Sequence, residues 1–295
     1  MRAKKSLGQN FLRDDDVCRQ IVDSLGLRKD EIVIEIGPGR GALTGILLEN
    51  TVRVIAIEFD RDMIAPLRVQ FGSHDNFELI NADALSVDFA EAVGLNDIKY
   101  LSEPPAIAGG LTWELETAGK YDPKQQQPTT ACGSDIKLVA NLPYNISTPI
   151  LQRLIEQRSI FSTIVLMFQR EVVERITAKP GNKNRGFLSV MVENAFETEY
   201  LFDVPPQAFQ PVPKVWSAVV RLTPKISDFA DSRAFRRVVS ASFAQKRKTI
   251  LNNLKPVFDN ATEILLKSGI DPKRRAETLT LDEWRTLANI VGKNE

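Results

Sequence analysis

Through the first two thirds of the chain, short β-branched runs alternate with segments of helical period. Residues 14–25 (DDDVCRQIVDSL) space apolar side chains at helical intervals behind three aspartates, which predicts a helix capped near residues 14–16. Residues 31–36 (EIVIEI) predict a strand that runs into a glycine turn, Gly37-Pro38-Gly39-Arg40-Gly41, after which ALTGILLEN resumes the helical spacing. A second strand is expected at 52–58 (VRVIAIE), a helix at 60–71, and further strands at 77–81, 136–141 and 162–169. Strands alternating with helices predict an α/β fold with a mostly parallel, doubly wound sheet. Its ligand belongs beyond the carboxyl ends of the strands.

Residues 197–223 break the alternation. Two strand-like runs, EYLFDV and SAVVRLT, bracket a proline-rich turn at 205–213, which predicts an antiparallel hairpin at the sheet edge, where proline is tolerated. After Pro224 the strands stop, and 233–291 read as short helices broken at Gly269 and Pro272. The division expected is therefore one domain over 1–224 and a small all-α domain over 225–295. Residues 94–135 fit no regular pattern and carry Pro104-Pro105 and Gly109-Gly110, as a surface insertion would.

Composition removes several function classes. At 43% hydrophobic and 26% charged, the 295 residues describe an ordinary soluble globular protein. No apolar run approaches the roughly 18 residues of a membrane span, so no membrane partner is expected. The basic N-terminus lacks the apolar stretch of a secretory signal. The two cysteines, Cys18 and Cys132, form no CxxC pair and the single histidine forms no cluster, so no metal site is expected. Free thiols suit a cytoplasmic location.

Charge is informative only when divided. The chain is neutral overall, yet residues 30–135 hold 18 acidic against seven basic side chains, and 225–295 hold 14 basic against nine acidic. Basic clusters at Lys246-Arg247-Lys248 and Lys273-Arg274-Arg275 read either as phosphate contacts or as solvated helix faces.

Four strand ends carry candidate chemistry. Gly37 and Gly39 let backbone approach a ligand closely. Glu58 ends the second strand about 20 residues further on, where a carboxylate accepts ribose hydroxyls. Asp83, in Asn81-Ala82-Asp83-Ala84, follows the third strand and could accept from an adenine amine. The fourth is Asn141-Leu142-Pro143-Tyr144, which offers an amide oxygen, a backbone carbonyl and an aromatic ring at one strand end. That set suits an exocyclic adenine amine, though the same four residues also read as a turn. The glycine spacing departs from G-x-G-x-x-G, and the acidity suits the sulfonium of S-adenosylmethionine (SAM) better than a pyrophosphate; a nicotinamide cofactor is the competing reading.

These pieces, in this order, resemble the ribosomal RNA adenine dimethyltransferases of the KsgA/RsmA type. The resemblance spans nearly the whole chain. It takes in GQNFL at 8–12, EIGPGRG at 35–41, NADA at 81–84, NLPYNIS at 141–147, FQPVPKV at 209–215, FAQKRKT at 243–249 and RAETL at 275–279. It implies a Rossmann-like SAM-dependent methyltransferase sheet with an antiparallel edge hairpin, followed by a helical rRNA-recognition domain. The implied reaction is dimethylation at N6 of two adjacent adenosines near the 3′ end of 16S rRNA, within the small ribosomal subunit, by a monomeric enzyme.

By position, the implied cofactor set is Asn10, Leu12, Gly37, Gly39, Glu58, Asp83, Ala84 and Asn141. The catalytic set is Asn141, Leu142, Pro143, Tyr144 and Phe209, with Asn141 and Leu142 accepting the two N–H bonds of the amine, and Tyr144 and Phe209 on the faces of the base. The implied RNA contacts are Lys246, Arg247, Lys248, Arg274 and Arg275. The 94–135 stretch departs from the family pattern. Two related readings stay open: a large-subunit rRNA methyltransferase, and a ribosome-assembly factor whose binding matters more than its catalysis. His74, in the loop-like GSHDN, is expected at the surface, and Ser147-Thr148 at a helix start.

Overall fold

The apolar runs become strands because they are covered on both faces, which is what a parallel sheet requires of its sequence. In the computed structural model, which describes residues 9–51, 53–95, 136–143, 146–225 and 232–293, Val33, Ile34, Val54, Ile55, Leu138 and Val139 have no exposed surface. All but two residues of 94–135, together with Tyr144, Cys132 and the N-terminal Lys4-Lys5, lie outside the described residues.

In chain order the elements are β1 (Phe11–Leu12), α1 (Asp15–Asp23), β2 (Ile32–Ile36), α2 (Thr44–Asn50), β3 (Arg53–Glu58), α3 (Arg61–Phe71), β4 (Phe77–Asn81), α4 (Phe89–Ala92), β5 (Ile136–Asn141), α5 (Ser147–Glu156), β6 (Thr163–Gln169), α6 (Arg170–Ile176), α7 (Phe187–Ala195), β7 (Phe196–Val204), β8 (Phe209–Gln210), β9 (Ser217–Pro224), α8 (Arg233–Ser242), α9 (Ile250–Leu254), α10 (Ala261–Lys267) and α11 (Leu281–Gly292). The Asp14 side chain caps α1 by accepting from the Asp16 and Val17 amides, both at 3.1 Å, as the aspartate run predicts.

The main sheet has the order β4-β3-β2-β5-β6-β9-β7. Strands β4 to β6 run parallel, whereas β9 pairs antiparallel with β6 and with β7. The expected hairpin is therefore present, with β7 at the edge and β9 between it and β6. From β2 the chain steps outward to β3 and β4, then crosses back to β5 on the other side of β2. That reversal is the crevice where ligands bind in such sheets.

The proline-rich segment 205–213 is more than a turn. Its strand β8 pairs antiparallel with β1, Leu12 opposite Phe209 and Phe11 opposite Gln210, forming a second, two-stranded sheet. A two-residue strand has no period to read, so β1 and β8 leave no pattern in the sequence.

The C-terminal helices pack on α7. One apolar cluster runs without a break from Ile34 and Leu138 in the sheet through Val190 and Val192 to Phe235 and Trp284. Arg185 pins this contact: fully buried, it donates to the Ala178 carbonyl at 2.7 Å, to Glu193 Oε2 at 2.5 Å and to the Leu279 carbonyl at 3.5 Å. Arg285 donates to Asn194 Oδ1 at 3.2 Å, and the Gly181 amide to the Glu277 carbonyl at 2.8 Å.

Candidate functional site

The carboxyl ends of β2, β3, β4 and β5 open into one cavity, roofed by the β1·β8 ribbon. The glycine turn lies directly beside the end of β5: a Cβ placed on Gly37 would stand 3.8 Å from the Asn141 carbonyl oxygen. Gly37, Gly39 and Gly41 have φ of 70°, 57° and 80°, a region side chains disfavour. At Gly39 a Cβ would also press on the Phe11 ring at 3.1 Å. Glycine here lets the turn, the roof and β5 converge.

Glu58 is fixed from two sides. Its Oε2 accepts the Gly39 amide at 3.1 Å and its Oε1 accepts the Asp60 amide at 2.8 Å. A carboxylate has about four acceptor positions, so these amides leave capacity for a ligand hydroxyl. Asp60 in turn caps α3 and accepts from Gln9 Nε2 at 2.7 Å, which fastens the N-terminal segment over the end of β3. On the next strand Asp83 Oδ1 accepts the Leu85 amide at 2.9 Å, holding a tight turn that brings Asp83 and buried Ala84 to the cavity wall.

At the end of β5, Asn141 is half-buried, Leu142 is buried and Pro143 follows; all three line the cavity. Phe209 faces them from the roof, buried beside Leu12 and held by the Arg13 amide, which donates to the Ala208 carbonyl at 2.8 Å. The structure thus brings together Asn10, Leu12, Gly37, Gly39, Glu58, Asp83, Ala84, Asn141, Leu142, Pro143 and Phe209 around one space. Tyr144 lies outside the described residues. His74 is exposed just before β4, at the amino end of that strand and away from the cavity at its carboxyl end, and Ser147 is buried at the start of α5.

The family described as Ribosomal RNA adenine dimethylase matches residues 1–293. The chain belongs to the ribosomal RNA adenine dimethylase family. It is 40% identical to the Ribosomal RNA small subunit methyltransferase A of Syntrophotalea carbinolica, over 98% of this chain and 97% of that one. It is 36% identical to the protein of the same name from Geobacter metallireducens, over 99% and 96%. Among solved structures, a dimethyladenosine transferase from Plasmodium falciparum superposes with a TM-score of 0.71 at 25% identity, covering 96% of this chain and 98% of the other. The 23S rRNA methyltransferase ErmE shares the fold, at a TM-score of 0.63 and 24% identity.

As a family member this dimethylase draws its methyl groups from SAM, and the lining of the cavity fits that cofactor. Glu35, Glu58, Asp60 and Asp83 face it, while Arg40 is the cation among its described lining residues and sits over the Phe11 ring at 4.6 Å. An acidic wall favours a sulfonium and an ammonium and opposes a pyrophosphate. Burial raises the Glu58 carboxyl above its usual range, against the Asp60, Gly39 and Phe59 amides that favour its charged form. Glu35 is pushed further, to about 7, by burial, offset in part by the Thr44 hydroxyl, which donates to its Oε2 at 2.7 Å.

Several lining residues of the dimethylase went unread in the sequence. Gln9 and Asp60 act through each other across 51 positions, a pairing that no local pattern announces. Phe59 is 60% exposed between Glu58 and Asp60; an aromatic flanked by two strand-end acids was the available signal. Glu35, one residue before the end of β2, was visible as an acid beside the glycine turn.

The basic tail residues also converge. Lys246, Arg247 and Lys248 are exposed between α8 and α9, and the Ile250 amide donates to the Arg274 carbonyl at 2.8 Å, which brings the 273–275 cluster alongside. Arg275 is exposed, with Glu277 at 3.9 Å. Arg274 differs: its guanidinium bridges Glu283 and the Thr278 carbonyl, so it is used among the C-terminal helices.

Proposed function

We propose that this enzyme transfers two methyl groups from SAM to N6 of each of two adjacent adenosines near the 3′ end of 16S rRNA, acting on the small ribosomal subunit during its biogenesis. The observation that carries the reading is the convergence, in one cavity, of the glycine turn, Glu58, Asp83 and the Asn141-Leu142-Pro143 end of β5 beneath Phe209. Relatives sharing 36–40% of their residues with this chain carry small-subunit names, which supports that subunit over the large one.

In this reading Glu58 accepts the ribose hydroxyls, and Asp83 with Ala84 receives the adenine of the cofactor. Gly37, Gly39, Asn10 and Leu12 enclose its methionine side. SAM, when bound, supplies the methyl group as an electrophile. The chain's own part is to make a poor nucleophile competent. The N6 lone pair of adenine is delocalised into the ring, and a neutral aryl amine is too weak an acid for any side chain to deprotonate first. Asn141 Oδ1 and the Leu142 carbonyl accept the two N–H bonds, drawing the nitrogen toward tetrahedral geometry and aiming its lone pair at the cofactor side of the cavity. The gain is one of orientation. Pro143 stiffens that strand end, and Tyr144 and Phe209 hold the unstacked base between them. The proton leaves to water after transfer.

The 1–224 part performs this chemistry, and the 225–295 helices select the RNA, with Lys246, Arg247, Lys248 and Arg275 on phosphates and Arg274 supporting them from within. The enzyme works as a monomer in the cytoplasm, without a metal.

The test supplies methyl-labelled SAM with small subunits lacking these methyl groups, with large subunits, and with protein-free rRNA. The expected result is label in small subunits, with reverse-transcription stops at two adjacent adenosines near the 3′ end. Label in large-subunit RNA instead would overturn the proposal.

A further inference from the structure

Beyond the cavity, past the end of β6, lies an aromatic side chain with no task in this chemistry. Residues 211–216 join β8, which bears Phe209, to β9. Within this loop Val212 is 62%, Val215 43% and Trp216 48% exposed, and Lys214 is exposed between them. The chain's core handles tryptophan otherwise: Trp284 is fully buried, and Ser217, next to Trp216, has no exposed surface. Exposed apolar side chains gathered in one short loop beside a lysine form a patch of the kind that marks a contact surface.

Its place follows from the sheet register. Asn141 pairs with Met167, and Met167 with Val219, forming one row across β5, β6 and β9. Trp216 lies three residues beyond that row, past the carboxyl end of β6, where its carbonyl accepts the Arg170 amide at 3.0 Å. That is about 10 Å along the strand and about 10 Å across two strands, so roughly 14 Å from Asn141. The distance is too great to touch a base held at Asn141, and suits another nucleotide of the same strand. Because two adjacent bases are to be modified, the strand beside the target is itself unpaired while one base is in the cavity.

We infer that Trp216 is a stacking platform for an unpaired nucleobase flanking the target adenosine, with Lys214 meeting a phosphate of the same strand; this rests on the rRNA reading above. Stacking on an aromatic face tolerates any base, and Lys214 supplies the charge complementary to the backbone. Phe209 and Trp216 then serve the two ends of one segment: the first encloses the base to be methylated, the second holds its flank.

The measurement is affinity for small subunits lacking the methyl groups, by filter binding over a range of salt, beside the dissociation constant for SAM and the thermal midpoint of each variant. Trp216→Ala is expected to weaken small-subunit binding about tenfold, with SAM affinity and salt slope unchanged. Trp216→Phe should stay within about twofold of the parent, since a smaller ring still stacks. Lys214→Ala should lower the salt slope by about one phosphate contact. Parent-like binding by Trp216→Ala overturns the inference. So does a Trp216→Phe variant as weak as Trp216→Ala at an unchanged midpoint, since a stacking platform accepts phenylalanine. A parent enzyme that labels no small subunit would sink the proposed function instead, so the two failures are distinguishable.

Discussion

Glu35 and Glu58 lie at the ends of neighbouring strands, and their different partners give them different roles. Glu58 accepts backbone amides and keeps acceptor capacity for a ligand, whereas Glu35 is 2% exposed with the Thr44 hydroxyl on one oxygen. Its carboxyl is raised to about 7 in the fold, against about 4.3 in an unfolded chain. A raised acid binds its proton more tightly when folded. Its contribution to stability is therefore complete below about pH 4 and is lost as pH rises toward and through about 7. The loss is of the order of 3 kcal/mol. Glu35→Gln removes the titration while keeping an oxygen for Thr44, so the stability that the parent loses between pH 5 and pH 8 should shrink by about 2–3 kcal/mol in the variant. Urea unfolding at the two pH values measures this, and parallel pH profiles would contradict it.

At the scale of elements, the turn from β2 to α2 is held open by an aromatic contact. A Cβ on Gly41 would stand 2.3 Å from Phe71 Cε2, where φ is already 80°. The Phe71 ring ends α3 and is itself packed on Phe77 at 5.6 Å, so it has little room to retreat. Gly41→Ala is expected to cost about 3 kcal/mol or more, from overpacking and backbone strain together. Phe71→Leu added to it should recover part of that loss, a positive coupling read from the double-mutant cycle. A Gly41→Ala midpoint in urea equal to the parent's would refute the account of this turn. The strands were legible in the sequence because continuous β-branched runs bounded by turn residues leave few alternatives. Strands β1 and β8 were not, since their pairing joins residues almost 200 positions apart through two hydrogen-bonding residues on each side. The placement of the strand-end acids and of Asn141-Leu142-Pro143 beside one cavity was legible because each is local. The Gln9–Asp60 bond and the commitment of Arg274 to Glu283 were not, because each depends on where a distant element comes to rest.

At the scale of the whole molecule, the sheet that carries the cavity and the C-terminal helices share one core. Arg185 ties the 178 loop, Glu193 and Leu279 together from a buried position, and the apolar cluster continues from the sheet into α8 and α11. Removing the Arg185 side chain from this largely buried set of partners is expected to cost about 3–5 kcal/mol. In the proposed function the acidic cavity wall serves a cationic cofactor and the basic tail serves phosphates. In the proposed reaction the amine is oriented at Asn141 and the methyl group is delivered there. The most direct measurement is a single-turnover reaction of methyl-labelled SAM with small subunits lacking the methyl groups, followed by nucleoside analysis, for the parent enzyme and for Asn141→Ala. The expected product is N6,N6-dimethyladenosine from the parent and at least a hundredfold less of it from Asn141→Ala, with SAM affinity only modestly reduced. Label in another nucleoside, or parent-like turnover by Asn141→Ala at saturating SAM, would contradict it.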